Sequence, residues 1–182
     1  MDRSWLEARL AELPIVQYEF LETKELTFTP RVRLVCETDC TRFGTSWACP
    51  PAVGTVEECR EKCLAFPHAL LFSTMNEVQD ITDLESTLAT RTGHEEVTRQ
   101  VTALFKSQGF ETRTLSTESC AICEQCAYPD SPCRFPEKMF PCVESQGILI
   151  LDTAERLGFD FQPGGNLAVW FSLVLYRKPG EM

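Results

Sequence analysis

Apolar side chains fall at helical spacing from the first residues, with Trp5, Leu6, Leu10 and Leu13 predicting a helix over residues 4–13 that Pro14 ends. Residues 15–20 and 26–28 are β-branched and aromatic and predict short strands. Residues 31–35 alternate basic and apolar side chains, a strand period that would deliver the chain to Cys36. Residues 36–54 are rich in turn formers and predict a structured loop. Thr55 followed by Glu58 is a capping-box pattern that starts a helix running to about residue 64, and Pro67 stops it.

Residues 69–72 predict the next strand. Residues 80–107 then show helical period through Ile81, Leu84, Leu88, Val97, Val101 and Leu104, with Gly93 as the candidate break. Gly109 is placed to cap that helix, and Glu111–Leu115 predicts a strand leading toward Cys120. Residues 137–146 and 152–157 predict short helices. Gly164 and Gly165 predict a turn, and the apolar run from Leu167 to Tyr176 predicts a buried closing strand. Helices and strands are mixed throughout, so the expected class is α/β or α+β, a single mixed-sheet domain over residues 1–182 carrying two cysteine-rich metal-binding loops. No repeat or low-complexity linker is evident.

Length and composition change that picture little: 182 residues with 43% apolar side chains can bury a core without covalent staples. Charge narrows the partners. Seventeen lysines and arginines against 27 acidic residues leave a net charge of −10, which neither neutralises a phosphate backbone nor docks on an anionic membrane. The apolar run of the last strand is well under the roughly 20 residues that span a bilayer as a helix. The charged first residues lack the apolar stretch of a secretory signal, so a cytoplasmic location is expected.

Ten cysteines are more than such a chain needs for folding, and in a reducing cytosol clustered thiols point to metal or catalysis before disulfides. Cys120, Cys123 and Cys126 recur at every third position and Cys133 follows. Three thiolates at that spacing can converge from one irregular loop, and a remote fourth completes the set, a habit of four-iron clusters in ferredoxin-type sequences. Zinc also accepts four thiolates and is the alternative. Cys36, Cys40 and Cys49, the last followed by Pro50 and Pro51, form a second group one ligand short. Its fourth ligand could be Cys59, Cys63 or Cys142, or the position could stay open to an external ligand or substrate.

Cys59 and Cys63 share one face of the predicted helix but read more simply as buried small hydrophobes. Cys142, after Pro141 near a predicted helix start, is open between ligand, reactive thiol and core residue. His68 and His94 read as bystanders, His94 on a solvated helix face beside Glu95 and Glu96. Arg42, Trp47 and Arg134 flank cysteines and could donate hydrogen bonds to sulfur.

At these residues the chain resembles the predicted metal-binding proteins of domain-of-unknown-function family 2284, found largely in anaerobic prokaryotes. One signature is Cys36, Cys40, Phe43, Gly44, Trp47, Cys49, Pro50 and Pro51. The other is Cys120, Cys123, Cys126, Cys133, Arg134, Pro136, Glu144, Gly147 and Ile148. The resemblance implies metal binding by the seven cysteines of the two signatures, as iron-sulfur clusters, and it names no reaction. Where that family tends to have serine, this chain has Cys142; Cys59 and Cys63 lie in neither signature.

Three functions are compatible with these residues. The first is an iron-sulfur protein with two [4Fe-4S] clusters, acting in electron transfer with a redox partner protein or as a small redox enzyme on a small-molecule substrate. The second is a zinc-braced structural or binding module. The third is a thiol enzyme or metal-handling chaperone in which Cys142 or Cys49 reacts directly. Oligomeric state is not legible.

Overall fold

The computed structural model describes residues 3–181. The chain forms α1 (Arg3–Leu10), β1 (Gln17–Glu22), α2 (Pro30–Thr38), α3 (Val56–Leu64), β2 (His68–Glu77), α4 (Leu84–Ala89), α5 (Arg91–Ser107), β3 (Glu111–Leu115), α6 (Ile150–Arg156) and β4 (Leu167–Arg177). Single 3-10 turns lie at Thr23–Glu25 and Glu144–Gln146. The four strands make one sheet in the order β1-β2-β4-β3, every neighbour antiparallel. An antiparallel sheet with helices packed on it is the α+β arm of the expected class.

The two long central strands are buried on both faces, which is why each reads as a nearly continuous apolar run. Leu71 pairs with Leu173, and Leu115 of the edge strand pairs with Leu173 from the other side. On one face Leu71, Leu173 and Leu175 pack with Cys63, Ile148, Ile150 and Ala154. On the other, Leu70, Phe72 and Val174 meet Leu6 and Leu10 of α1 and Val97, Val101 and Phe105 of α5. Each such side chain taken from water contributes about 1.5–3 kcal/mol, so the sheet is a rigid floor for what hangs from its ends.

Thr55 caps α3 as its sequence pattern requires: its hydroxyl accepts from the Glu58 N–H at 3.1 Å, and the Glu58 carboxylate accepts from the Thr55 N–H at 2.8 Å. Gly109, with φ of 79°, follows the end of α5 as expected. Four local expectations fail. Residues 26–28 form no strand, only a single bridge from Phe28 to Ile148. Residues 137–146 are irregular up to the 3-10 turn. The long helical stretch divides at Thr90, whose position between α4 and α5 leaves Gly93 inside the first turn of α5.

The fourth failure bears on the site. Residues 31–35 are not a strand but the first half of α2, started by Thr29 as N-cap, whose hydroxyl accepts from the Arg31 N–H, and by Pro30 at the first helical position. Cys36 therefore sits on a helix, not at a strand end. The helix is also turned against its hydrophobicity: Arg33 is buried, while Leu34 and Val35 are 56% and 59% exposed.

Candidate metal centre

All ten cysteines are unpaired. Their placement separates them into three sets. Cys59 and Cys63 are fully buried on α3, Cys63 inside the core of the sheet, and burial raises both thiols above the ordinary range, Cys63 to about 11. These two are packing residues, as their position outside both signatures implied.

Cys120, Cys123, Cys126 and Cys133 line one narrow cavity of about 20 Å³ together with Ser46, Trp47, Phe135 and Met139. Their segment runs between β3 and the 3-10 turn without helix or strand, so side chains must hold it. The Trp47 indole N–H donates to the Ser131 carbonyl at 3.0 Å, and its ring meets Tyr128 edge-on at 4.9 Å. Arg134 donates to the Gln125 carbonyl at 2.8 Å, and Arg91 donates to the Ser119 carbonyl. Burial pushes the Cys126 thiol up, but hydrogen bonds from the backbone of Tyr128, Trp47 and Ala127 and from the Ser46 side chain outweigh it and bring it below the ordinary value. Its sulfur is thus stabilised as the thiolate, the form that binds metal.

Cys36, Cys40, Cys49 and Cys142 line a second, larger cavity of about 360 Å³, with Arg42, Phe43, Glu118, Ser119 and Glu144 on its wall. Cys36 comes from α2, Cys40 and Cys49 from the turns that follow it, and Cys142 from the segment before the 3-10 turn. Cys142 does not stand at a helix start with a lowered thiol, as the sequence allowed; its interaction with Cys49, and then burial, push it well above the ordinary range. The same interaction, with help from Ser119, draws Cys49 down to about 7 against its own burial. Burial lifts Cys36 to about 11, and burial lifts Glu144, half-buried at the wall, to about 7.

The three segments of this cavity are tied by Arg33. Its guanidinium donates to the Gly54 carbonyl at 2.8 Å and to the Ser145 carbonyl at 2.5 Å, linking the helix of Cys36 to the chain just past Cys49 and just past Cys142. Nothing in the sequence marks Arg33 beyond its place three residues before Cys36; its burial is what identifies it.

His94 is corrected from a solvated bystander to a core residue, 1% exposed, with Thr74 at 2.8 Å from Nδ1 and Ser172 at 2.8 Å from Nε2. Its partners, Thr74 on β2 and Ser172 on β4, belong to the central strands. His68 opens β2 and pairs with Glu181 at 3.2 Å.

The donor chemistry fits metal at both places, since four thiols face each cavity. Among the described residues no three Cys, His, Asp or Glu side chains stand close enough to hold a single ion as they are.

Thiols gathered at two places on an α+β scaffold make this a cysteine-rich protein of the metal-binding class. The chain belongs to the family described as predicted metal-binding protein (DUF2284), whose family model matches residues 19–176. Comparison with curated proteins and with solved structures gives no match. Among the described residues no helix is long and apolar enough to cross a membrane.

Proposed function

We propose that this chain is an iron-sulfur electron-transfer protein, holding one [4Fe-4S] cluster on Cys120, Cys123, Cys126 and Cys133 and another on the site of Cys36, Cys40 and Cys49. The observation that carries the proposal is the gathering of both signature groups on separate cavity walls. Clusters so held supply one-electron oxidation and reduction at potentials that the protein sets through hydrogen bonds to sulfur and through solvent exposure.

The chain's own residues set those conditions. The donors around Cys126 stabilise negative charge on that sulfur, which favours the reduced centre and raises its potential. Ser46 and Trp47 reach Cys126 from the loop that contains Cys49, so one loop borders both centres. Val35 and Phe43 leave an apolar rim exposed at the larger cavity. A redox partner protein is the natural recipient at such a rim; a small-molecule substrate entering the cavity is the enzymatic variant. Its setting is the cytoplasm, where thiols stay reduced.

One observation favours a second reading for the Cys120 set. Its cavity of about 20 Å³ has room for one small body, as a structural zinc would need. Against this, the segment is irregular and can be spread by a larger occupant, and the two-residue gaps are those of clusters. The test is an electron paramagnetic resonance spectrum of protein purified without oxygen and reduced with dithionite. Two cluster signals are expected; a single signal lost on mutating Cys36 would assign zinc to the Cys120 set, and no signal would overturn the proposal.

A further inference from the structure

The site of Cys36, Cys40 and Cys49 lacks one ligand, and whether that position is open decides between a catalyst and a carrier. We propose that Cys142 is the fourth thiolate, closing this site as a four-cysteine cluster centre assembled from α2, the loop after it and the distant segment before the 3-10 turn. The inference rests on the cluster reading above and extends it.

Three observations carry it. Cys142 lines the same cavity as the other three, whereas Cys59 and Cys63, the competing candidates, do not: Cys59 faces the Val53 carbonyl at 3.4 Å and Cys63 faces the core. Cys142 and Cys49 stand on the wall of that one cavity and are 7% and 4% exposed. Two adjacent buried sulfurs on the wall of a roomy cavity have no packing reason to face it.

The third observation is how firmly the backbone of Cys142 is fixed. The Ser116 N–H donates to the Pro141 carbonyl at 3.0 Å, and the Val143 N–H donates to the Ser116 carbonyl at 2.8 Å, so the chain on both sides of Cys142 is laid against the continuation of β3. The Cys142 carbonyl accepts from the Ser145 hydroxyl at 2.6 Å, and Ser145 in turn is held to α2 through Arg33. A ligand position fixed by its backbone before metal arrives is what a closed site requires. The remaining polar residues of the wall, Glu118, Ser119, Glu144 and Arg42, then serve as surroundings of the centre and not as ligands. With all four irons thiolate-bound, no coordination position is left for a substrate, and electron transfer is the function that remains.

The experiment compares wild-type protein with Cys142→Ala and Cys142→Ser, purified without oxygen, for iron, acid-labile sulfide, spectrum and midpoint potential. Wild type is expected to hold about eight irons, four for each four-cysteine cluster. Cys142→Ala is expected to lose between one iron and the whole first cluster while keeping the signal of the Cys120 centre, which also reports that it is folded. Cys142→Ser is expected to keep its fold and show a shifted potential and an altered spectrum for the first centre alone. Unchanged iron, spectrum and potential in both variants would overturn the inference and leave the site open. Wild-type protein without iron and sulfide would instead overturn the cluster reading, whatever the variants do.

Discussion

The Trp47 indole N–H donates to the backbone carbonyl of Ser131 at 3.0 Å, joining the loop that carries Cys49 to the loop that carries Cys133. Neither loop has regular secondary structure around its cysteines, so this bond and the edge contact with Tyr128 join the bonds from Ser46 and the Trp47 backbone to Cys126 in fastening the two loops. Trp47→Phe removes the hydrogen bond and keeps an aromatic ring, with an expected cost of about 1 kcal/mol. Trp47→Ala removes both and is expected to cost more than twice as much and to speed iron release from the Cys120 centre to a chelator. Equal release rates in wild type and Trp47→Ala would show that the fastening is elsewhere.

Arg33 is the second fastening. Hydrogen bonds from a charged donor are worth about 1.5–3 kcal/mol each, and Arg33→Met deletes those to the two carbonyls, stranding both, and a longer one to the Cys59 sulfur. The expected loss is about 3 kcal/mol in urea unfolding, with iron lost from the Cys36 centre and kept at the Cys120 centre. Arg33→Lys recovers only part of this, because a single ammonium cannot span the two carbonyls as the guanidinium fork does.

Gly147 has φ of 76°, and a Cβ added there would lie 2.8 Å from Val56 Cγ1 on α3. Gly147→Ala combines left-handed strain with overpacking and is expected to cost about 2–4 kcal/mol. Thr55→Ala, which only removes the α3 cap, is expected to cost about 1 kcal/mol. Thermal melts give the ordering, and trimming Val56 to Ala in the Gly147→Ala background should recover the overpacking part.

His94 makes the fold sensitive to acid. Burial between α5 and the central strands holds it at about 4, below the 6.5 of an exposed histidine. Between those values the unfolded chain binds the proton and the native chain does not, so stability is complete above pH 6.5 and falls as pH drops toward 4. The size is on the order of 3 kcal/mol at 1.36 kcal/mol for each unit. In urea unfolding across this window His94→Gln, which keeps a donor and an acceptor, is expected to show a shallower fall than wild type. Parallel curves would place the acid sensitivity in other groups.

The sheet was legible where burial imposes a pattern on neighbours in sequence. The run through Val169, Phe171, Leu173 and Leu175 could only be a buried strand, and Thr55 with Glu58 could only open a helix. The pattern misled where a residue serves something other than the core. In α2 the alternation of arginine and aliphatic side chains imitates a strand, yet Arg33 is inward because it ties carbonyls and Val35 is outward because it borders the cavity. The overlooked signal was Thr29-Pro30, a cap and a first-turn proline. His94 misled for a similar reason: its acidic neighbours suggested solvent, but Val97 and Val101 place its side of α5 against the sheet.

The candidate site was legible in proportion to how local it is. Cys120, Cys123, Cys126 and Cys133 lie within one loop, and their spacing alone brought them together. Cys142 could not be assigned, because its approach to Cys49 depends on Ser116 pairing beyond the end of β3 and on Arg33 bridging to Ser145. Both are contacts between segments remote in sequence.

The most direct measurement is the iron, zinc and acid-labile sulfide content of wild-type protein purified without oxygen. About eight irons and eight sulfides per chain with little zinc is the expected result, four of each for a cluster at either set of four thiols. Stoichiometric zinc without sulfide would contradict the proposal and make the two cysteine sets braces of a structural module.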